Sequence, residues 1–185
     1  MRTIFGDGAA ATLVVGKEAA EESIGPFVLG TDGRGACQLI VPAGGLRRRA
    51  SAETAVALEA EGGNWRSAQN LYMNGPEIFN FTLSAVPPLV EQLRLKCNGG
   101  VQEVDYYVFH QANRFMLERL RNKLKIAPEK FCIDLEDCGN TVSSTIPLAL
   151  ERARRAGRIT SGQRVMLVGF GVGFSWAASM IRVSF

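Results

Sequence analysis

The sequence predicts an α/β layered fold in which strands and amphipathic helices alternate, and three observations carry that prediction. Short apolar runs such as Tyr106–Phe109 and Val165–Val168 are rich in aromatic and β-branched residues, as buried strands are. Longer stretches between them repeat apolar residues at helical spacing. Gly, Pro and Asn-Gly pairs punctuate the two kinds of segment. With 46% hydrophobic and 21% charged residues, a chain of 185 residues has enough apolar material for a buried core, which argues against disorder.

Taken in order, Thr12–Val15 follows the Gly6-Asp7-Gly8 turn signal and Phe27–Leu29 follows Gly25-Pro26; both are expected strands. Gly30 to Asn70 is rich in Gly, Ala and Arg and reads as a loop-dominated insertion, with helical composition only over Ser51–Ala60. A domain boundary is expected within it, dividing residues 1–70 from 71–185. Asn74-Gly75-Pro76-Glu77 then supplies a cap, an N-terminal proline and an acidic first turn. The helix it opens carries Phe79, Leu83, Val86, Val90 and Leu93 on one face, and Pro87-Pro88 is expected to kink it. Strand Tyr106–Phe109 precedes a helix burying Phe115 or Met116 with Leu117, Leu120 and Leu124. Phe131–Leu135 is the next expected strand, Ser143–Ala156 the next helix with its cap at Gly157, and Val165–Val168 and Ala177–Val183 the last two strands.

The net charge of +3 is too mild to imply nucleic acid. Cys37, Cys97, Cys132 and Cys138 have no CxxC spacing, and a single histidine leaves few mixed zinc sets, so no metal is expected. The cysteines read as reduced thiols of a cytoplasmic protein. The N-terminal MRTIFGDGAAATLVV has no secretory organisation. Val165–Ile181 lacks charge, but a spanning helix needs ~20 mainly apolar residues, and glycines interrupt this run. Two strands joined by a Gly loop fit better than a membrane span.

Chemistry concentrates at strand ends. His110, the lone histidine, directly follows Tyr106–Phe109, where ligands gather in α/β sheets. A hydrogen-bonded structural histidine fits that position equally well. Asn140 holds the equivalent place after the next strand; alone it reads as a turn or N-cap residue. As a pair, an imidazole and a carboxamide can both donate to one carbonyl oxygen and stabilise an enolate. Phe170-Gly171-Val172-Gly173-Phe174 lies between strands and lacks the third glycine of a dinucleotide fingerprint, which disfavours a nucleotide.

Six segments in order resemble the ketoacyl-acyl-carrier-protein synthase III family of the thiolase superfamily. Phe5-Gly6-Asp7-Gly8-Ala9-Ala10 is similar to its FGDGA segment, Met73-Asn74-Gly75 with Glu77-Ile78-Phe79 to its helix start, and Leu39–Gly45 to its LIVPAGG-like stretch. His110-Gln111-Ala112-Asn113 resembles its HQAN motif, Gly139-Asn140-Thr141 its GNT motif, and Phe170–Trp176 its glycine-rich loop. The resemblance implies a thiolase-like layered fold, present as the C-terminal half with the last strand of the N-terminal half. It also implies an acyltransferase of fatty acid or related biosynthesis that condenses acyl-CoA with malonyl-ACP and needs no separate cofactor.

By the same resemblance His110 and Asn140 are the catalytic decarboxylation pair. Asn113, Phe170, Gly171 and Val172 would bind substrate, and Arg114 would dock the acyl carrier protein. The nucleophilic cysteine belongs to the family's N-terminal half, so this chain by itself is expected to be inactive, and to pair with that half or form a homodimer. A non-catalytic or partner subunit of a split condensing enzyme is the alternative. Three departures stand out: Cys37 lies outside the nucleophile motif, Val172 replaces the middle glycine of the loop, and Arg114 falls one position before the family's docking arginine. A cysteine protease, which also uses Cys, His and Asn, is disfavoured because HQAN and GNT do not belong to that chemistry.

Overall fold

In the computed structural model of the protein, residues 4–16, 18–97 and 103–184 are described. The elements in chain order are β1 (Ile24–Thr31), β2 (Leu39–Ile40), α1 (Ala52–Ala55), β3 (Leu58–Ala60), β4 (Asn64–Arg66), β5 (Tyr72–Met73), α2 (Gly75–Lys96), β6 (Tyr106–Phe109), α3 (Arg114–Lys123), α4 (Thr145–Arg155), β7 (Arg164–Gly171) and β8 (Ser175–Arg182). They divide into two compact units. One comprises residues up to Gly30, Thr82–Phe170 and the chain from Trp176; the other comprises Thr31–Phe81 and Gly171–Ser175.

The first unit is built on a four-stranded sheet in the order β1-β8-β7-β6. β6 and β7 run parallel, with Tyr106 opposite Val165 and Phe109 opposite Val168. All four residues of β6 are buried, as the uninterrupted apolar run requires of a strand covered on both faces. On one face Tyr106, Val108 and Val165 form a core with Ala149 and Ala153 of α4, Cys132, Ile159 and Val183. Alternation turns Tyr107 and Phe109 to the other face, where Arg94 of α2 donates a 2.7 Å hydrogen bond to the Tyr107 hydroxyl. Val86, Val90 and Leu93 of α2 and Leu117 and Leu120 of α3 are fully buried, as the helical spacing of these apolar residues predicts. At the end of α4, Gly157 takes φ +68, the expected C-terminal cap. Among the described residues no helix is long and apolar enough to cross a membrane, and the uncharged stretch 165–181 is β7, a turn and most of β8.

The second unit is short-stranded. β2 pairs with β5, and β3 pairs antiparallel with β4 through a connection in which Gly62 and Gly63 both take positive φ. This corrects the helical expectation for Ser51–Ala60. Ser51 does open a helix with a capping box, but that helix lasts four residues, and Leu58–Ala60 is drawn into the hairpin.

Two further expectations change. Thr12–Val15 is not a strand: Leu13, Val14 and Val15 are exposed, and among the described strands none lies alongside to supply a ladder. Phe131–Leu135 makes a single bridge, Phe131 to Tyr107, and then leaves the sheet. The rung that Asp134 would have made is taken by a side chain, that of Gln111.

Candidate active site

His110 begins where β6 ends, and its backbone N–H still donates to Val168 O at 2.8 Å, so the ladder fixes the start of its side chain. Its Nδ1 lies 2.7 Å from Thr145 Oγ1 at the head of α4, and its ring meets Phe170 edge-to-face with centroids 5.4 Å apart. Burial among these groups pushes the imidazole pKa down to about 4, leaving a neutral ring at pH 7. Phe170 is itself buried and closes one side of the imidazole.

Asn140 is held by the N-terminal segment. Asn140 N–H donates to Ile4 O and Gly6 N–H donates to Asn140 O, both at 3.0 Å. The crossing is so tight that a Cβ on Gly6 would sit 1.8 Å from Cys138 O, while Gly139 takes φ +63. That is a physical reason for glycine in both the FGDGA and GNT segments. The Asn140 side chain is oriented by its Oδ1, which accepts the Val142 N–H at 2.9 Å. Its Nδ2 has no hydrogen-bond partner among the described residues, so the carboxamide of a buried residue keeps a donor for a ligand oxygen. Val142 O in turn accepts from Thr145 Oγ1 at 2.9 Å, and a continuous chain of contacts therefore runs from Asn140 through Val142 and Thr145 to His110.

Asn113 is exposed and caps α3, its Oδ1 accepting from Met116 N–H at 2.8 Å. Arg114 is half-exposed and faces Glu136 and, at 3.7 Å, Glu118. Gly171 and Val172 belong to the second unit, where Val172 is exposed and its carbonyl accepts from Ser175 Oγ at 3.0 Å. All four cysteines are free. Cys97 and Cys132 are buried, and burial raises both thiol pKa values, that of Cys132 to about 11. Cys37 lies in the turn before β2, away from any helix start. Among the described residues no group of His, Cys, Asp and Glu is arranged to hold a metal.

Two residues of this site lack any role in the sequence reading. Gln111 stands within the quoted HQAN motif, yet nothing in a sequence shows where its amide points. Thr145 is one hydroxyl among several after Asn140.

Residues 96–183 match the family model described as 3-oxoacyl-[acyl-carrier-protein (ACP)] synthase III C terminal. A solved 3-oxoacyl-(acyl-carrier-protein) synthase III superposes with a TM-score of 0.94 at 50% identity, covering 98% of this chain and 54% of that one. The corresponding Thermus thermophilus synthase superposes with a TM-score of 0.73 at 32% identity, covering 92% of this chain and 49% of its own. Among curated relatives, the beta-ketoacyl-[acyl-carrier-protein] synthase III of Gloeobacter violaceus is 40% identical over 181 residues, 97% of this chain and 52% of the relative. That of Caldanaerobacter subterraneus is 34% identical, covering 98% and 52%. The fold is thus the thiolase-like α/β fold. The chain belongs to the 3-oxoacyl-acyl-carrier-protein synthase III family, corresponds to its C-terminal half, and spans about half the length of the curated relatives it matches.

Proposed function

We propose that this chain supplies the His and Asn of a decarboxylating condensation in which an acyl group from acyl-CoA is joined to malonyl-ACP, giving a 3-oxoacyl-ACP in the cytoplasm. The observation that supports it most directly is the pair itself: a neutral His110 at a strand end, linked through Thr145 and Val142 to an Asn140 whose amide N–H groups are unspent. The Asn140 N–H groups are fixed before the substrate arrives; His110 joins them as a donor in its Nε2–H tautomer, with the Thr145 hydroxyl proton turned from Val142 O to Nδ1, and together they stabilise the oxygen that becomes negative when malonyl loses CO₂. Phe170 beside the imidazole would crowd the malonyl carboxylate. Asn113 would meet the pantetheine chain, Gly171 and Val172 would bound the acyl site, and no cofactor enters beyond the two thioester substrates.

The acyl-accepting thiolate comes in this reading from a cysteine outside the chain, supplied by the N-terminal half of the enzyme or by a partner subunit. Buried thiols such as Cys97 and Cys132 are poor nucleophiles because the charged form is disfavoured. The chain alone is therefore inactive in condensation, and the active form is a dimer of complete subunits. In the complete enzyme, Asn140→Ala and His110→Ala should each lower CO₂ release from malonyl-ACP by ~10²–10³-fold. Mass spectrometry of the acyl-enzyme reports the separate acylation step, which Asn140→Ala should leave in place. Normal decarboxylation in both variants would overturn the assignment.

A further inference from the structure

We infer that the Gln111 carboxamide is a positioning residue, spliced into the β6 ladder as an extra amide so that the segment carrying Asn140 splays away from the strand carrying His110.

The ladder shows where the splice falls. Cys132 N–H donates to Tyr107 O at 2.9 Å, a regular parallel rung. Two residues further on, the next rung would join Asp134 N–H to Phe109 O. Both groups are instead taken by one side chain. Gln111 Nε2 donates to Phe109 O at 2.6 Å, and its Oε1 accepts from Asp134 N–H at 2.8 Å. A third, longer contact runs from Nε2 to Cys132 O at 3.4 Å. The carboxamide thus satisfies the donor and the acceptor of the missing rung while holding them one amide group further apart. Gln111 is 1% exposed, so water does not substitute for it.

The displaced segment is then secured elsewhere. Arg152 of α4 reaches Asp134 at 3.0 Å and Asp137 at 2.7 Å, and Gly139 N–H closes a turn on Leu135 O at 2.8 Å. Asn140 follows that turn at once. Gln111 is therefore the wedge and Arg152 the stay, and between them they set where Asn140 stands relative to His110. A reacting oxygen that needs both groups depends on that separation, since errors of ~1 Å in such geometry cost ~10²-fold in rate. The catalytic consequence rests on the proposed condensation; the splice itself does not.

Two variants test it. Gln111→Ala removes the wedge and should let Asp134 N–H close on Phe109 O. Gln111→Glu restores it only as the neutral acid, whose O–H can donate to Phe109 O while its C=O accepts from Asp134 N–H. In the isolated chain, the ring signals of the sole histidine and the Asn140 side-chain NH₂ signals are read by ¹⁵N NMR. They should move in Gln111→Ala, and in Gln111→Glu they should match the wild type at low pH and depart from it as the carboxyl ionises. In the complete enzyme, decarboxylation per folded molecule should fall ~10²-fold in Gln111→Ala with acylation retained. It should fall with rising pH in Gln111→Glu beyond any change in the wild type. Wild-type ring and amide signals in Gln111→Ala would overturn the inference. Where that variant fails to fold, a Gln111→Glu spectrum without the pH-dependent departure would do the same. Shifted signals with unchanged decarboxylation would uphold the splice and count against the proposed function instead.

Discussion

Lys123 Nζ donates a 2.8 Å hydrogen bond to the carbonyl oxygen of Leu83, the oxygen to which a residue other than proline at position 87 would bring its own N–H. An interior proline removes one helical hydrogen bond and crowds the preceding turn, a cost of ~3 kcal/mol. Here a lysine from α3 supplies a donor to the orphaned carbonyl and so replaces the helical hydrogen bond that Pro87 removes. Lys123→Met should cost about 1 kcal/mol in denaturant unfolding. In a Pro87→Ala background, where the substituted alanine has a backbone N–H that can reach the same oxygen, the cost should largely vanish. Equal costs in both backgrounds would show that Lys123 stabilises by some route other than this carbonyl.

The neutral state of His110 predicts a pH dependence of folding. Its pKa is held at about 4, below the ordinary 6.5, because burial disfavours the charged ring. The unfolded chain therefore takes up a proton at higher pH than the folded one. The contribution is complete above about pH 6.5 and is lost as pH falls toward 4, by roughly 3 kcal/mol at most. Carboxylates also titrate toward the lower end of that window, so the comparison is with His110→Gln. The wild type should lose stability over the interval faster than the variant. Parallel curves for the two proteins would contradict a buried neutral imidazole.

The parts of this fold that were legible in the sequence are those whose determinants are local. Asn74, Pro76 and the helical spacing of Val86, Val90 and Leu93 define α2, and the apolar run Tyr106–Phe109 defines a buried strand whose end carries His110. The failures are of another kind. Phe131–Leu135 has a strand's composition, but whether its second rung forms is decided by Gln111, 23 positions before Asp134. Thr12–Val15 is rich in β-branched residues, yet among the described residues no strand lies beside it, and Leu58–Ala60 is committed by the two glycines that follow it. The Thr145 contact to His110 depends on how α4 approaches β6, which no periodicity encodes.

Val142 is the strained residue of the site. It is β-branched and takes φ +55, a left-handed conformation that costs roughly 1–2 kcal/mol for an ordinary L-residue. In that conformation its N–H reaches Asn140 Oδ1. The residue is 59% exposed, so little burial is lost on replacement. Val142→Asn, which tolerates the left-handed region, should raise stability by about 1 kcal/mol without disturbing the Asn140 contact. A loss of stability, or a shifted Asn140 side-chain signal, would mean that the valine side chain has a role beyond its backbone conformation.

The ion pairing of Arg114 sharpens the expectation that it docks a carrier protein. Its side chain is 49% exposed and its guanidinium already faces Glu136 and Glu118, so the charge offered to an acidic partner is partly offset. Exposed pairs of this kind are individually weak, ~0–1 kcal/mol, and exchange readily for a better anion. Two substitutions should therefore act in opposite directions in the complete enzyme. Arg114→Glu should raise the KM for malonyl-ACP more than that for acyl-CoA. Glu136→Gln should lower the KM for malonyl-ACP by releasing the arginine, and both effects should shrink as ionic strength rises. Steady-state kinetics with the two substrates varied separately, at low and high salt, measure all of this. If Arg114→Glu affects both substrates equally, or if Glu136→Gln raises the KM for malonyl-ACP, the Arg114–Glu136 pair is a fixed part of the surface and not a docking contact held in reserve.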